Sequence, residues 1–259
     1  MEVEDPNPDN GAGPWLQIEH LKKSFGPDVV LRDINLEVAK AEVVVILGPS
    51  GCGKSTFLRC LAGLEEINGG KILFQGEEIS DGKSKGMHKK IGMVFQSYDL
   101  FDHLTVLRNI TLAPMKVLGL GRQEAEDEAI TLLERFGLAD KKDMYQRQLS
   151  GGQRQRVAII RALCMHPEVM LLDEITAALD PEMVHEVLEL VLELANHGLT
   201  MIIVTHEMDF ARAIADRVVF LDQGTIMEIT PTEQFFRSPE TDRAKEFLKG
   251  LSFAPKHRQ

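Results

Sequence analysis

Short apolar runs recur along the chain, and several are closed by residues able to handle charge. Val43-Val44-Val45-Ile46-Leu47 runs into Gly48, and Val169-Met170-Leu171-Leu172 into Asp173-Glu174. Met201-Ile202-Ile203-Val204 leads to Thr205-His206, and Val218-Val219-Phe220-Leu221 repeats the pattern. Uninterrupted runs of this length fit strands buried on both faces. Leu16–Leu21, Ile34–Val38, Gly69–Phe74 and Ile91–Phe95 predict further strands. Helical runs at Gly152–Met165 and Pro181–Asn196 separate the later strands, and Glu233–Leu251 is helical again. Strands alternating with helices predict a largely parallel sheet covered on both faces. From about Asp99 to Gln148 the spacing turns helical: Leu107, Ile110 and Leu112 are followed by Arg122–Phe136, whose Ala129, Leu132, Leu133 and Phe136 share one face. The expected organisation is a core over about 15–98 and 151–251, with a helical subdomain at about 99–150.

Composition narrows the class. The 259 residues carry a formal charge of −11, and Glu2, Glu4, Asp5 and Asp9 concentrate acid at the start. Residues 1–14, with three prolines and two glycines, read as a disordered acidic tail, and 252–259 as a C-terminal tail. The acidic balance argues against nucleic acid as a partner. No stretch approaches the ~18 apolar residues of a membrane span, and Met1–Pro8 lacks the apolar region of a secretory signal. Cys52, Cys60 and Cys164 are not spaced as a metal site, which fits a reducing cytoplasm.

Gly48-Pro49-Ser50-Gly51-Cys52-Gly53-Lys54-Ser55 satisfies G-x-x-x-x-G-K-[ST], with a strand before it and the helical Thr56-Phe57-Leu58 after it. Glycines there let backbone N–H groups turn onto phosphates, and the helix adds its positive end. Lys54 would bridge the β and γ phosphates of ATP, and the Ser55 hydroxyl would ligate Mg²⁺. Cys52 contributes backbone only. Its place beside Lys54 and a helix N-terminus favours thiolate, so it is expected to react ahead of Cys60 and Cys164.

Asp173-Glu174 closes a strand at its carboxyl end, where open α/β sheets bind ligands. Asp173 would hold Mg²⁺, and Glu174 would orient or deprotonate the attacking water. Alone, such a pair is an ordinary solvated loop; its order relative to the phosphate loop is what gives it weight. Gln96, ending Ile91–Phe95, offers an amide oxygen to metal or water. His206, after Met201–Thr205, could donate to the γ-phosphate.

Leu149-Ser150-Gly151-Gly152-Gln153 resembles the signature of the ATP-binding-cassette (ABC) ATPases, and from about Leu16 to Leu251 the motifs follow that family's order. The resemblance implies a P-loop NTPase core of mainly parallel sheet, with an antiparallel β region and the inserted helical subdomain. It implies that Phe25 stacks on adenine, although Phe25 also reads as a core aromatic beside Val29–Val30. It makes Gln96 the Q-loop, Ala178-Leu179-Asp180 the D-loop and His206 the switch histidine. In the family the signature (Ser150, Gly151, Gly152 and Gln153 here) meets the γ-phosphate held by a partner subunit, so a head-to-tail homodimer on ATP binding is implied. Otherwise, Ser150 before two glycines is a helix cap. Ile175 and Ala177 depart from the proline and serine of many relatives, which bears on loop rigidity alone.

Without a span of its own, such an ATPase would sit peripherally on the cytoplasmic face of the inner membrane and work on separate permease subunits. Tyr98, Leu100 and Phe101, just past Gln96, could receive a permease helix or belong to the helical core. Arg59–Glu66 and Phe101–Lys116 resemble the ATPases of bacterial polar amino-acid importers, which implies a substrate-binding protein in the assembled system. ABC ATPases of lipoprotein release or cell division would carry the same motifs. A DNA-maintenance ABC ATPase would need a long insertion between Lys54 and Ser150, which this chain lacks.

Overall fold

The computed structural model describes residues 13–80, 87–177 and 179–251. The expected tails, apart from Gly13 and Pro14, and Ala178 of the D-loop lie outside the described residues. Leu16–Phe25 (β1) and Asp28–Val38 (β2) form a hairpin, followed by Val43–Leu47 (β3) and the helix Lys54–Leu61 (α1). Gly69–Phe74 (β4), Glu77–Glu78 (β5) and Ile91–Val94 (β6) come next. A helical stretch holds Val106–Ala113 (α2), Arg122–Arg135 (α3) and Gly151–Leu163 (α4). Val169–Asp173 (β7), Pro181–Asn196 (α5), Thr200–Val204 (β8), Met208–Ile214 (α6) and Arg217–Asp222 (β9) alternate after it. Thr225–Pro231 (β10), Thr232–Arg237 (α7) and Asp242–Leu251 (α8) complete the described chain.

The central sheet has strand order β10-β9-β3-β8-β7-β6, parallel throughout except for β10 against β9. A second, antiparallel sheet has order β2-β1-β4-β5. This is the P-loop fold with an antiparallel β region that the sequence implied. Every residue of β3, β7 and β8 is buried, and their side chains alternate between two cores, as the two-residue period of a strand requires. Val44, Ile46, Leu171, Ile202 and Val204 face α1 and the antiparallel sheet, where they meet Phe57, Leu58 and Leu61. Val43, Val45, Leu47, Leu172 and Ile203 face the other way, toward Val157, Ile160, Val187 and Val191. That second core runs without a break into Val106, Ile110, Ala129 and Leu133, so α2 and α3 rest on α4 rather than standing apart.

Several details differ from expectation. β1 and β2 are longer than their apolar runs because only alternate residues turn inward. β6 ends at Val94, one residue early. β10 was not anticipated: Glu228 and the terminal Pro231 break its apolar pattern, yet Glu228 is buried and accepts from Thr241 N–H at 2.6 Å. The seven-residue α6 is too short to display a helical period.

The register brings function to one edge. Val44 lies opposite Ile202, Leu172 opposite Ile203, and Val94 opposite Leu172. The carboxyl ends of β3, β8, β7 and β6 therefore open side by side.

Candidate active site

At the end of β3 the phosphate loop is wedged between neighbouring backbones. Gly48 has φ 155°, and a Cβ there would stand 2.0 Å from the Leu221 carbonyl oxygen. Gly53, at φ 107°, would place one 2.8 Å from Leu31 Cδ2. Neither position admits a side chain. Lys54 is 5% exposed, and its Nζ donates to the Gly48 and Pro49 carbonyls at 2.9 Å each. Ser50, Gly51, Gly53, Lys54, Ser55, Thr56, Glu174 and Val30 of β2 line a cleft of about 450 Å³, within the range of small-ligand sites.

Two hard oxygen donors converge beneath that cleft. Ser55 Oγ donates to Asp173 Oδ1 at 2.8 Å, joining the first turn of α1 to the end of β7. Burial pushes the Asp173 carboxyl upward, and the Ser55 hydrogen bond opposes it. One carboxylate and one hydroxyl fit Mg²⁺, which takes few protein ligands and fills its octahedron with phosphate oxygens and water. Among the described residues no group of three or more His, Cys, Asp or Glu could form an all-protein cage.

Glu174 takes φ 47°, a left-handed conformation that L residues adopt at a cost of about 1–2 kcal/mol. Its N–H donates to the Val204 carbonyl at 2.9 Å, and its Oε1 lies 2.9 Å from His206 Nε2. Motifs from β7 and β8 thus meet in one pair on the cleft wall. Gln96 follows β6 at the same sheet edge and is exposed.

Other expected residues lie further out. Phe25 is 46% exposed at the tip of β1, with Lys23 Nζ 4.5 Å from its ring centroid, so it is not a core aromatic. The cluster after Gln96 divides. Leu100 is buried and Tyr98 packs on the core with Arg154 over its ring, whereas Phe101 is 45% exposed. Tyr98 and Asp99 both have positive φ, and Arg161 of α4 donates to their carbonyls at 3.1 and 2.6 Å. No sequence pattern marked that clamp or the strained pair beneath it.

None of the four signature residues is among those lining the cleft. Ser150 caps α4: its Oγ accepts from Gln153 N–H at 3.3 Å, and Gln153 Oε1 accepts from Ser150 N–H at 3.0 Å. The helix-cap reading therefore holds, and it leaves chemistry to spare. The cap uses a lone pair of the Ser150 hydroxyl, whose proton remains available to an oxyanion. Asp180 begins α5 through its backbone, and its exposed carboxylate makes no cap bond.

The favoured thiolate expected of Cys52 is overturned, although its expected rank ahead of Cys60 and Cys164 is not reversed, since those thiols are pushed up to about 11 and about 12. All three cysteines are buried, and burial pushes the Cys52 thiol up, with Lys54 only partly offsetting it. The Cys52 side chain turns beneath the loop, its Sγ 3.1 Å from where a Gly48 Cβ would be. Val30 is a cleft residue the sequence did not reveal; the alternation of β2 was the available signal.

Comparison with known proteins agrees with this geometry. The ABC transporter family model matches residues 31–177, and the chain belongs to that family. Within it, the chain is an ATPase. It is 50% identical over 238 residues to the glutamine transport ATP-binding protein GlnQ of Geobacillus stearothermophilus, covering 91% of this chain and 98% of the relative. It is 52% identical to the arginine transport ATP-binding protein ArtM of Bacillus subtilis, covering 91% and 99%. The glutamate/aspartate import ATP-binding protein GltL of Escherichia coli is 49% identical, covering 90% and 98%. Among solved structures, a dimeric ATP-binding cassette in a post-hydrolysis state with ADP and Pi superposes with TM-score 0.75 at 31% identity, covering 84% of this chain and 98% of that one. Another is cbiO1 from Clostridium perfringens, part of the ABC transporter complex cbiONQ, with TM-score 0.77 at 31% identity, covering 92% and 94%.

Proposed function

We propose that this chain is the ATP-hydrolysing subunit of a membrane importer for polar amino acids, working as a homodimer that closes on ATP. The observation that carries the chemistry is the meeting of the phosphate loop, the Ser55–Asp173 pair and the Glu174–His206 pair at one sheet edge. The amino-acid reading rests on relatives named for glutamine, arginine and glutamate transport.

Lys54 exchanges the Gly48 and Pro49 carbonyls for the β and γ phosphates, while loop N–H groups and the α1 N-terminus hold the remaining oxygens. Phe25 takes the adenine. Ser55, Asp173 and the Gln96 oxygen would hold Mg²⁺, which would supply positive charge against the phosphates. Glu174 accepts a proton from the attacking water as its oxygen bonds to Pγ and the bond to the bridging oxygen breaks. Before ATP binds, His206 Nε2 holds the Glu174 carboxylate; with ATP in place its N–H turns to the γ-phosphate, freeing Glu174 for the water. Ser150, Gly151, Gly152 and Gln153 complete the partner's site, with Asp180 at the seam.

Residues 99–150 form the subdomain that carries this motion to the permease. Phe101 lies on a groove with Ile91, Met93, Val117, Ala162 and Met165, an apolar trough suited to a permease helix. Among the described residues no helix is long and apolar enough to cross a membrane. Relatives named as transport ATP-binding proteins support a pore made by other chains, with this one at the cytoplasmic face. A substrate-binding protein delivers the cargo. Copurification from the native membrane tests the assignment. A permease and binding protein should accompany the chain, with ATPase activity stimulated by glutamine, glutamate or arginine. Stimulation only by a lipoprotein or another cargo class would overturn it.

A further inference from the structure

The first turn of the signature helix is tied to α5 by a contact that the cap does not require. Gly152 N–H donates to Met183 Sδ at 3.2 Å. A Cβ on Gly152 would stand 3.0 Å from Met183 Cβ, 3.2 Å from Cγ and 3.4 Å from Sδ. Gly152 lies in α4 without a positive φ, so it is this close approach, not the backbone conformation, that a side chain there would disturb by pushing Met183 back. Met183 is in the first turn of α5, where its own N–H donates to the Asp180 carbonyl at 2.9 Å.

First-turn amides have no partner within their helix. Gln153 N–H finds the Ser150 hydroxyl, whereas Gly152 N–H finds a thioether, which is neutral and a weak acceptor. A phosphate oxygen is a charged acceptor and forms a much stronger bond with the same N–H.

We propose that Met183 is a positioning residue for the hydrolytic cycle. Its sulfur holds Gly152 N–H in the separated subunit and releases it to the γ-phosphate on the partner's loop as the dimer closes. This rests on the composite site proposed above. The weakness of the acceptor is its use: Gly152 stays aimed, and the anion displaces sulfur readily. Because Met183 and Asp180 share a helical turn, the exchange also registers closure at the start of α5.

Two substitutions separate this role from plain packing. Met183→Leu keeps the apolar volume and removes the acceptor. Met183→Gln keeps the length and supplies a stronger amide oxygen. Both are made in a Glu174→Gln background, so that ATP is not consumed, and the dimer dissociation constant is measured by sedimentation with Mg-ATP. Leucine should tighten the dimer about threefold per site, or roughly tenfold for two sites, the size of one modest hydrogen bond each. Glutamine should loosen it. In nucleotide-free protein, hydrogen exchange at the Gly152 amide should quicken with leucine and slow with glutamine.

A shift of the same sign in both variants, or none, overturns the latch, as does Gly152 exchange indifferent to residue 183. If Met183→Gln does not fold, tightening and faster exchange in Met183→Leu support the latch, and failure of either overturns it. A Glu174→Gln parent that stays monomeric with Mg-ATP overturns the composite site itself, a result distinguishable from unchanged exchange at Gly152.

Discussion

His206 Nε2 stands 2.9 Å from Glu174 Oε1, although the two residues close different strands and lie 32 positions apart in sequence. The Glu174 N–H bond to the Val204 carbonyl brings the strand ends together. The imidazole therefore fixes the direction of the carboxylate before any water is engaged, and the two residues are expected to differ in what their loss does.

Glu174→Gln should retain ATP binding and lose hydrolysis by about 10² to 10⁴-fold, the usual worth of a general base. His206→Ala should bind ATP and slow turnover less, since the carboxylate survives but loses its guide. Equilibrium nucleotide binding and single-turnover phosphate release separate the two. Rapid turnover in Glu174→Gln would remove that residue from the proton-accepting role.

Mixed dimers test sharing between subunits. Lys54→Ala chains should fail to hold nucleotide, and Ser150→Arg chains should fail to complete a neighbour's site. Mixed, each heterodimer regains one site with native Lys54 on one side and native Ser150 on the other. Activity should rise well above either parent and depend on the square of protein concentration when dilute. Group donation across subunits is worth roughly 10³ to 10⁵ in related phosphoryl transfer, so the recovery has ample range. A mixture no faster than its parents would count against a shared site.

Buried thiols make stability fall in alkali. Burial raises Cys60 to about 11 and Cys164 to about 12, from an ordinary 9.0. A raised folded value gives stabilisation that is full below pH 9 and lost as pH climbs through those values. Above pH 9 the unfolded chain has released protons that the folded chain keeps, so each thiol removes about 1.4 kcal/mol per pH unit. Urea unfolding between pH 9 and 11 should show a shallower decline in a Cys60→Ala/Cys164→Ala variant. Native protein should also resist maleimide at all three cysteines until unfolded. Equal slopes, or prompt labelling of Cys52, would contradict the burial described.

Phe101→Ala should leave the free subunit folded and hydrolytically active while weakening its hold on the permease, because the ring is exposed and supports no core. Tyr98→Ala should behave differently. That ring packs on the core beneath Arg154, and its removal should lower thermal stability. Thermal unfolding and copurification with the permease distinguish them. Identical effects would mean that the two aromatics share one role after all.

The parallel strands were legible in sequence because burial on both faces demands unbroken apolar runs, as in Val43–Leu47 and Met201–Val204. The phosphate loop was legible because glycine spacing encodes backbone shape directly. β10 was not, since its buried Glu228 depends on a distant Thr241 amide for its acceptance into the core. Cys52 misled because proximity to Lys54 in sequence said nothing of which way its side chain turns. The Glu174–His206 pair and the Arg161 clamp arise from register and helix packing, and neither leaves a local pattern.

The left-handed backbone at Glu174 sets fold stability against catalysis. Glycine accepts such a conformation without strain, and asparagine accepts it more readily than glutamate does. Residues chosen there for folding alone would relieve about 1 kcal/mol of backbone strain and discard the carboxylate. Any stability-guided redesign of this chain would thus be drawn to a firmer but inert protein, and position 174 must be held fixed against that gain.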